Sequence, residues 1–174
     1  MKLFLDANVI FSAAHREQGR SQDLIALAHA GLCELLASQH AIEEARRNLE
    51  LKSAGFERRL SKALSQITIV AEAPAAPVEW ARTQGLPLKD APILAAAVSA
   101  HADLLVTGDS RDFGHLLGHV LRGTRVITPA AALDPAPPPT AGSPGPAAAP
   151  TALAGEDLAA CTARLSVGTP AEVR

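Results

Sequence analysis

The sequence predicts an α/β fold, a three-layer α/β/α sandwich in which a central parallel sheet of five strands lies between two layers of helices. Short apolar runs alternate with helical patterns from residue 1 to residue 133, and this alternation is typical of a parallel sheet covered by helices. Aspartates follow two of the apolar runs directly or within three residues. The composition changes sharply after Leu133, so we expect one domain at 1–133 and a tail at 134–174.

The predicted strands are short apolar runs bounded by polar or turn-forming residues. They span residues 2–5, 33–37, 67–70, 103–107 and 125–127. Helical patterns span residues 21–30, 41–65, 78–84 and 90–101. A break is expected at Gly55 inside the second helical pattern, because glycine readily ends a helix.

The segment 134–174 has a different composition from the rest of the chain. Seven of the 17 residues from 134 to 150 are proline, mixed with alanine, glycine and serine. Such a segment has too little periodic apolar surface to build a core. We therefore expect a flexible Pro/Ala-rich tail.

Composition and charge exclude several classes of protein. The chain has 174 residues, 48% of them hydrophobic, and a formal net charge of -2. No apolar stretch is long enough to span a membrane, and Asp6 interrupts the first apolar run before a signal-peptide core forms. Cys33 and Cys161 lie far apart. These features predict a cytoplasmic protein without a membrane span or a structural disulfide.

The net charge differs between the predicted domain and the tail. Residues 1–133 contain 14 basic and 14 acidic residues, against 2 and 4 in the remainder. If several acids share one metal-neutralised pocket, the remaining surface is net basic and tolerates a polyanion. Six basic residues in one helical segment are candidates to hold phosphates, although a solvated helical face is the commoner explanation of such a pattern. They are Arg46, Arg47, Lys52, Arg58, Arg59 and Lys62.

Two candidate site residues follow predicted strands. Asp6 comes directly after Leu5, and Asp109 comes after Thr107 and Gly108. In open α/β sheets, ligands bind at the carboxyl ends of strands where the strand order reverses. Taken alone, each aspartate is more readily explained as a helix cap or a turn residue.

A third acid, Asp90, precedes an apolar helical pattern that has Pro92 in its first turn. A helix cap explains this aspartate, but the helix is apolar enough to be buried, which would direct the carboxylate toward an inner crevice. Glu43 and Glu44 lie at comparable angles from the apolar side of their helix, so periodicity alone does not choose between them.

Supporting polar residues surround these acids in the sequence. Asn8 follows Asp6, and Asp112 follows Asp109, where it is expected to cap a short helix at 113–117. His115 and His119 could share a helix face, but a zinc site would need two further soft ligands, and none lies nearby in sequence.

Clustered oxygen ligands indicate the chemistry. Carboxylates without neighbouring cysteine or histidine favour Mg²⁺ or Mn²⁺ over zinc or copper. Such ions activate water and neutralise an attacked phosphate, so that no covalent nucleophile is needed. The acids therefore indicate hydrolysis of phosphodiester bonds.

Four sequence blocks resemble the PIN domains, especially the prokaryotic branch of VapC-like toxins. The blocks are LDANVIFSA (5–13), SQHAIEEARRNL (38–49), GLPLKDAPILAAAVSAHADLLVTGDSRDFG (85–114) and VITPAAAL (126–133). The resemblance implies four acidic ligands, and it selects Glu44 over Glu43. These ligands are Asp6, Glu44, Asp90 and Asp109, supported by Asn8, Thr107 and the peripheral acid Asp112.

The same resemblance implies an RNase-H-like parallel sheet and an endoribonuclease that depends on Mg²⁺ or Mn²⁺. It also implies homodimerisation and, for the toxin branch, inhibition by a small antitoxin protein. The tail at 134–174 departs from the compact pattern of the family.

Two other functions fit part of the pattern. A haloacid-dehalogenase-type phosphatase also has a strand followed by aspartate and a later Gly-Asp-x-x-Asp, here 108–112, but it needs a second aspartate where this chain has Asn8. A non-catalytic RNA-binding or scaffolding module would keep the fold and the metal without turnover. The four intact acids favour catalysis.

Overall fold

The computed structural model describes residues 1–52 and 55–134. Apart from Asp134, the predicted tail lies outside the described residues. The strands are β1 (Lys2–Leu5), β2 (Glu34–Ser38), β3 (Ile67–Val70), β4 (Leu104–Val106), β5 (Val120–Leu121) and β6 (Thr124–Ile127). The helices are α1 (Ala7–His15), α2 (Arg20–His29), α3 (Gln39–Lys52), α4 (Glu57–Leu64), α5 (Ala75–Arg82), α6 (Ala91–Ser99) and α7 (Pro129–Leu133), with a 3₁₀ turn at Gly114–Leu116.

The strands form one sheet in the order β3-β2-β1-β4-β6-β5. Its first five strands are mutually parallel, as predicted, and they overlap the five predicted runs with ends that differ by at most one residue. The short edge strand β5 is an unpredicted addition and pairs antiparallel with β6. The predicted α/β architecture is confirmed with one extra strand.

The two central strands are buried because helices cover both faces of the sheet. In β1, Leu3, Phe4 and Leu5 are at most 1% exposed. Leu105 and Val106 of β4 are fully buried beside them. This packing fixes the ends of β1 and β4, where the candidate acids follow.

Helix α1 was not predicted, and it begins directly after β1. Asp6 keeps an extended backbone (ψ 156°), and the helix starts at the next residue. Val9, Ile10 and Ala13 of α1 are buried against the core. The turn from strand to helix therefore holds Asp6 rigidly at the edge of the sheet.

Helices α3 and α4 are separate, as the predicted break at Gly55 requires. Gly55 has φ 67°, a left-handed conformation that glycine adopts without steric cost. Helix α6 carries a run of buried residues at 93–97, in agreement with the apolar pattern. None of the helices in residues 1–52 and 55–134 combines the length and apolar character needed to cross a membrane.

Candidate active site

The candidate site lies where the strand order reverses. Strand β1 pairs with β2 on one side and with β4 on the other. The chain first adds β2 and β3 on one side of β1 and then crosses to add β4 and β6 on the other side, so the strand order reverses between β1 and β4. Asp6 follows β1, and Asp109 follows β4. The topology brings these two acids to the same edge, at the switch point where α/β sheets bind ligands.

Asp6 is held by two hydrogen-bond donors. Its Oδ2 accepts bonds of 2.6 Å from both the Thr107 hydroxyl and the Asn8 amide. Asp6 is 3% exposed and Thr107 is fully buried. The carboxylate is thus orientated by side chains from α1 and from the segment after β4.

Asn8 also connects the two strand ends. Its Oδ1 accepts the backbone N–H of Gly108 at 2.8 Å, and a Cβ added to Gly108 would lie 3.1 Å from that oxygen. The Thr107 hydroxyl accepts the Asp109 N–H at 3.0 Å. Asn8 and Thr107 therefore position the turn that carries Asp109, as well as Asp6.

Asp109 closes this turn with its own side chain. Its Oδ1 accepts the N–H groups of Arg111 at 2.9 Å and Asp112 at 3.0 Å. The predicted capping role of Asp112 is wrong, because the short 3₁₀ turn starts after Phe113 and has no side-chain cap. The Asp112 carboxylate binds Lys89 instead, with Nζ to Oδ2 at 2.9 Å.

Asp90 occupies the N-cap position of α6, but its carboxylate does not cap the helix. The residue is 4% exposed. Lys89 Nζ forms an ion pair with its Oδ2 at 3.3 Å. Within the described ranges, this oxygen accepts no other hydrogen bond.

The two glutamates of α3 differ in their surroundings. Glu43 is exposed and accepts a bond from Gln39 Nε2 at 3.1 Å. Glu44 is half-buried, and its charge helps to raise the pKa of Asp6. The charge of Glu44 therefore acts on Asp6.

Burial makes both inner aspartates weaker acids. It raises the pKa of Asp6 to about 6, and Glu44 and Asp109 add to the rise, while the Thr107 hydrogen bond opposes it. Burial also raises the pKa of Asp90 to about 6, against the lowering influence of Lys89. The unfavourable charge that causes these shifts is the kind that a bound cation relieves.

Sequence reasoning missed Lys89 and His40. Lys89 joins Asp90 to Asp112, and the His40 ring Nε2 lies 3.1 Å from the Lys89 carbonyl oxygen. Lys89 could have been identified from the sequence because it is a basic residue directly before the candidate acid Asp90. No comparable sequence signal marks His40.

The donor set matches a hard divalent cation. Asp6 is within electrostatic reach of Glu44, Asp109 and Asp90, all of them carboxylates. Apart from its Lys89 ion pair, the buried Asp90 Oδ2 accepts no hydrogen bond from the residues that the structure describes. As they stand, no three acidic, imidazole or thiol groups of residues 1–52 and 55–134 are close enough together to enclose an ion. Mg²⁺ commonly binds one or two carboxylates and completes its shell with water, so the set fits such an ion without a closed cage.

The other candidates from the sequence lie elsewhere. His115 Nε2 contacts the Gln84 carbonyl oxygen at 2.8 Å. Five of the six basic candidates on α3 and α4 are exposed, and Arg59 is half-buried. Arg59 and Lys62 line a cavity of about 320 Å³ together with Glu17 and Gln22.

Known structures share this fold. A chain of the VapBC2 complex from Rickettsia felis, crystallised with a promoter DNA fragment, aligns with TM-score 0.55 and 20% identity over 74% of this chain and 98% of that one. FitAcB from Neisseria gonorrhoeae aligns with TM-score 0.52 and 21% identity over 74% and 98%. PAE2754 from Pyrobaculum aerophilum aligns with TM-score 0.53 and 19% identity over 76% and 92%.

Sequence comparison assigns the chain to a family more directly than the similarity of fold does. No curated protein sequence matches the chain significantly. The sequence profile of the PIN domain matches residues 2–111, a segment that includes β1 to β4 and all four candidate acids. The chain therefore belongs to the PIN domain family.

Proposed function

We propose that this protein is a metal-dependent endoribonuclease that hydrolyses RNA phosphodiester bonds in the cytoplasm and is the toxin of a toxin–antitoxin pair. One observation carries the proposal. At the switch point of a PIN domain, two buried carboxylates lie within electrostatic reach of each other and of further acids. A raised pKa means that the ionised carboxylate destabilises the folded protein, and a bound cation would offset this cost for both groups.

The proposed metal ligands are Asp6, Glu44, Asp90 and Asp109, and the proposed ion is Mg²⁺ or Mn²⁺. Such an ion, when bound, activates a water molecule and neutralises charge on the attacked phosphate. Thr107 and Asn8 orientate Asp6 by hydrogen bonds of 2.6 Å. The turn bonds of Asp109 Oδ1 to the next residues hold that carboxylate at the rim.

The same geometry argues against the phosphatase alternative. Asn8 stands where that chemistry needs a general acid, and an amide does not donate a proton in this way. Its amide and carbonyl groups are instead committed to Asp6 and Gly108. The scaffolding alternative keeps the metal without turnover, and only an activity measurement separates it from the proposed enzyme.

The proposed macromolecular partners are an RNA substrate, a second copy of the chain and a small antitoxin. The exposed basic residues of α3 and α4 supply charge for phosphate contacts. The antitoxin is proposed from the similarity to VapBC2, a complex whose crystal also contains promoter DNA. Co-purification with the product of an adjacent short reading frame, and the mass of the isolated chain in solution, test these two partners.

The decisive experiment measures RNA cleavage by the purified chain. We expect a single-stranded or structured RNA to be cut with Mg²⁺ or Mn²⁺ and to stay intact with a chelator. Duplex DNA and a generic phosphate monoester are the control substrates. Metal binding without cleavage of a broad RNA set would favour the scaffolding module, and hydrolysis of the monoester alone would favour the phosphatase.

A further inference from the structure

We propose that Lys89 is the resident cation of the metal-free site, that a divalent metal displaces its ammonium group, and that this competition sets the metal affinity. The inference rests on the metal dependence of the proposed function. It concerns a residue outside the predicted ligand set, and it assigns to that residue control over when the site becomes loaded.

The ammonium group lies between an inner and an outer acid. Lys89 Nζ is 2.9 Å from Asp112 Oδ2 and 3.3 Å from Asp90 Oδ2. The Asp90 side chain is 5% exposed and that of Asp112 is 19% exposed. Lys89 thus brings a positive charge from the rim of the site to a buried carboxylate oxygen that accepts no other hydrogen bond in the described part of the chain.

Hydrogen bonds hold the backbone around Lys89, whereas its side chain is partly exposed to solvent. The N–H groups of Asp90 and Ala91 bond the Pro87 carbonyl at 3.0 and 3.1 Å, and the His40 ring contacts the Lys89 carbonyl oxygen. The Lys89 side chain is nevertheless 55% exposed. A flexible four-carbon stem on a fixed backbone moves between pocket and solvent at little cost.

A divalent metal ion and the Lys89 ammonium group repel each other when both lie next to Asp90. A divalent ion that binds Asp90 repels an ammonium group at the same oxygen, because charges a few ångströms apart interact strongly in a partly buried site. Lys89 then has two alternatives, which are Asp112 alone and solvent. Metal binding therefore includes the loss of the Lys89–Asp90 ion pair.

The test is metal binding by the full chain, measured by calorimetry and thermal melting with Mg²⁺ alone and Mn²⁺ alone. Lys89→Gln removes the competing charge and should tighten the dissociation constant by about two- to fivefold, the upper part of the range expected for loss of a partly exposed ion pair. The metal-free melting temperature should fall, so that the metal-induced rise becomes larger. Lys89→Arg keeps the charge and should not tighten binding.

Arg82→Gln is the matched control, since Arg82 forms an exposed ion pair with Glu79 at 3.0 Å on α5. It also removes one positive charge, and its metal affinity should stay within about twofold of wild type. Equal affinities of wild type and Lys89→Gln, or weaker binding by Lys89→Gln, would overturn the inference. If wild type and both Lys89 variants bind neither ion, the metal dependence of the proposed function fails as well, so the two failures are distinguishable.

Discussion

The two buried aspartates of the site are held in different ways. Asp6 accepts bonds from Thr107 and Asn8, and both residues also bind the turn that follows β4. Asp90 has an ion pair to the half-exposed Lys89, and its Oδ2 accepts no other hydrogen bond within the described residues. Burial nevertheless raises the pKa of each to about 6.

This contrast separates positioning from charge compensation. The Asp6 network fixes an oxygen in one place, which a catalytic ligand needs. The Asp90 arrangement supplies charge without fixing geometry, because a lysine side chain is flexible. We infer that the Asp6 half of the candidate site is organised without the proposed metal, and that binding of the proposed metal would organise the Asp90 half.

Removal of either inner carboxylate gives the largest expected effect. We expect Asp6→Asn and Asp90→Asn each to lower RNA cleavage by at least about a hundredfold, because each removes a charged ligand of the proposed ion. In the metal-free state at neutral pH, we expect Asp90→Asn to melt higher than wild type, since a buried charge is removed. The gain should be smaller for Asp6→Asn, which also loses two charge-assisted hydrogen bonds. A cleavage assay and thermal melting measure both effects.

Asp103→Asn is the control for these variants. Asp103 is exposed and accepts the Lys2 N–H at the opposite end of the β1–β4 pair. Its substitution should leave cleavage near the wild-type rate. Cleavage by Asp6→Asn or Asp90→Asn at a comparable rate would remove the assignment of the inner acids.

The second expected effect tests the Asp6 network. Thr107→Val keeps the shape of the side chain but removes the donor to Asp6 and the acceptor for the Asp109 N–H. We expect a loss of about 1–3 kcal/mol in the free energy of unfolding and a fall in cleavage of about ten- to a hundredfold. Thr124→Val is the control, because that buried hydroxyl bonds the Ala102 carbonyl away from the acids. If both variants lose stability but neither loses activity, Thr107 has only a structural role.

The fold was largely predictable because the buried strands are visible as apolar runs. The five parallel strands and the break at Gly55 follow from local composition. Strand β5 was missed because two residues carry no periodicity. Helix α1 was missed because it starts one residue after the apolar strand β1, with no glycine or proline between them to mark the change.

The location of a candidate site residue was predictable where its position next to a strand fixes that location. Asp6 and Asp109 follow strands, and topology brings strand ends together. The assignment of Glu44 required a family resemblance, because helical angles leave Glu43 equally possible. The Lys89 contact with Asp112 joins residues 23 positions apart through side-chain geometry, and no sequence pattern encodes such a contact.

The third prediction concerns pH in the absence of metal. Asp6 and Asp90 have pKa values near 6 in the folded protein, against 3.8 as their ordinary value. Because the folded pKa is raised, the associated stability is complete below about pH 4 and is lost as the pH rises through 6. Ionisation of each group should lower the free energy of unfolding at pH 7 by roughly 3 kcal/mol for a rise of about two pKa units. The melting temperature of Asp90→Asn minus that of wild type should therefore grow between pH 4 and pH 7, and a constant difference would contradict the raised pKa.

The smallest expected effect separates the two glutamates of α3. Glu44 is half-buried and contributes to the raised pKa of Asp6, whereas Glu43 is exposed and bonds Gln39 on its own helix. Glu44→Gln should weaken Mn²⁺ binding by several-fold and reduce the metal-induced rise in melting temperature, because a ligand that binds only the folded site stabilises it by mass action. Glu43→Gln removes the same charge one residue away and serves as the matched control, so the general effect of net charge cancels between the two variants. In the metal-free state, Glu44→Gln should also lower the pKa of Asp6 slightly. This shift is a second readout that does not depend on metal binding. Equal shifts for the two variants would mean that Glu44 acts through net charge alone and would exclude it from the metal ligands, leaving Asp6, Asp90 and Asp109 as the proposed set.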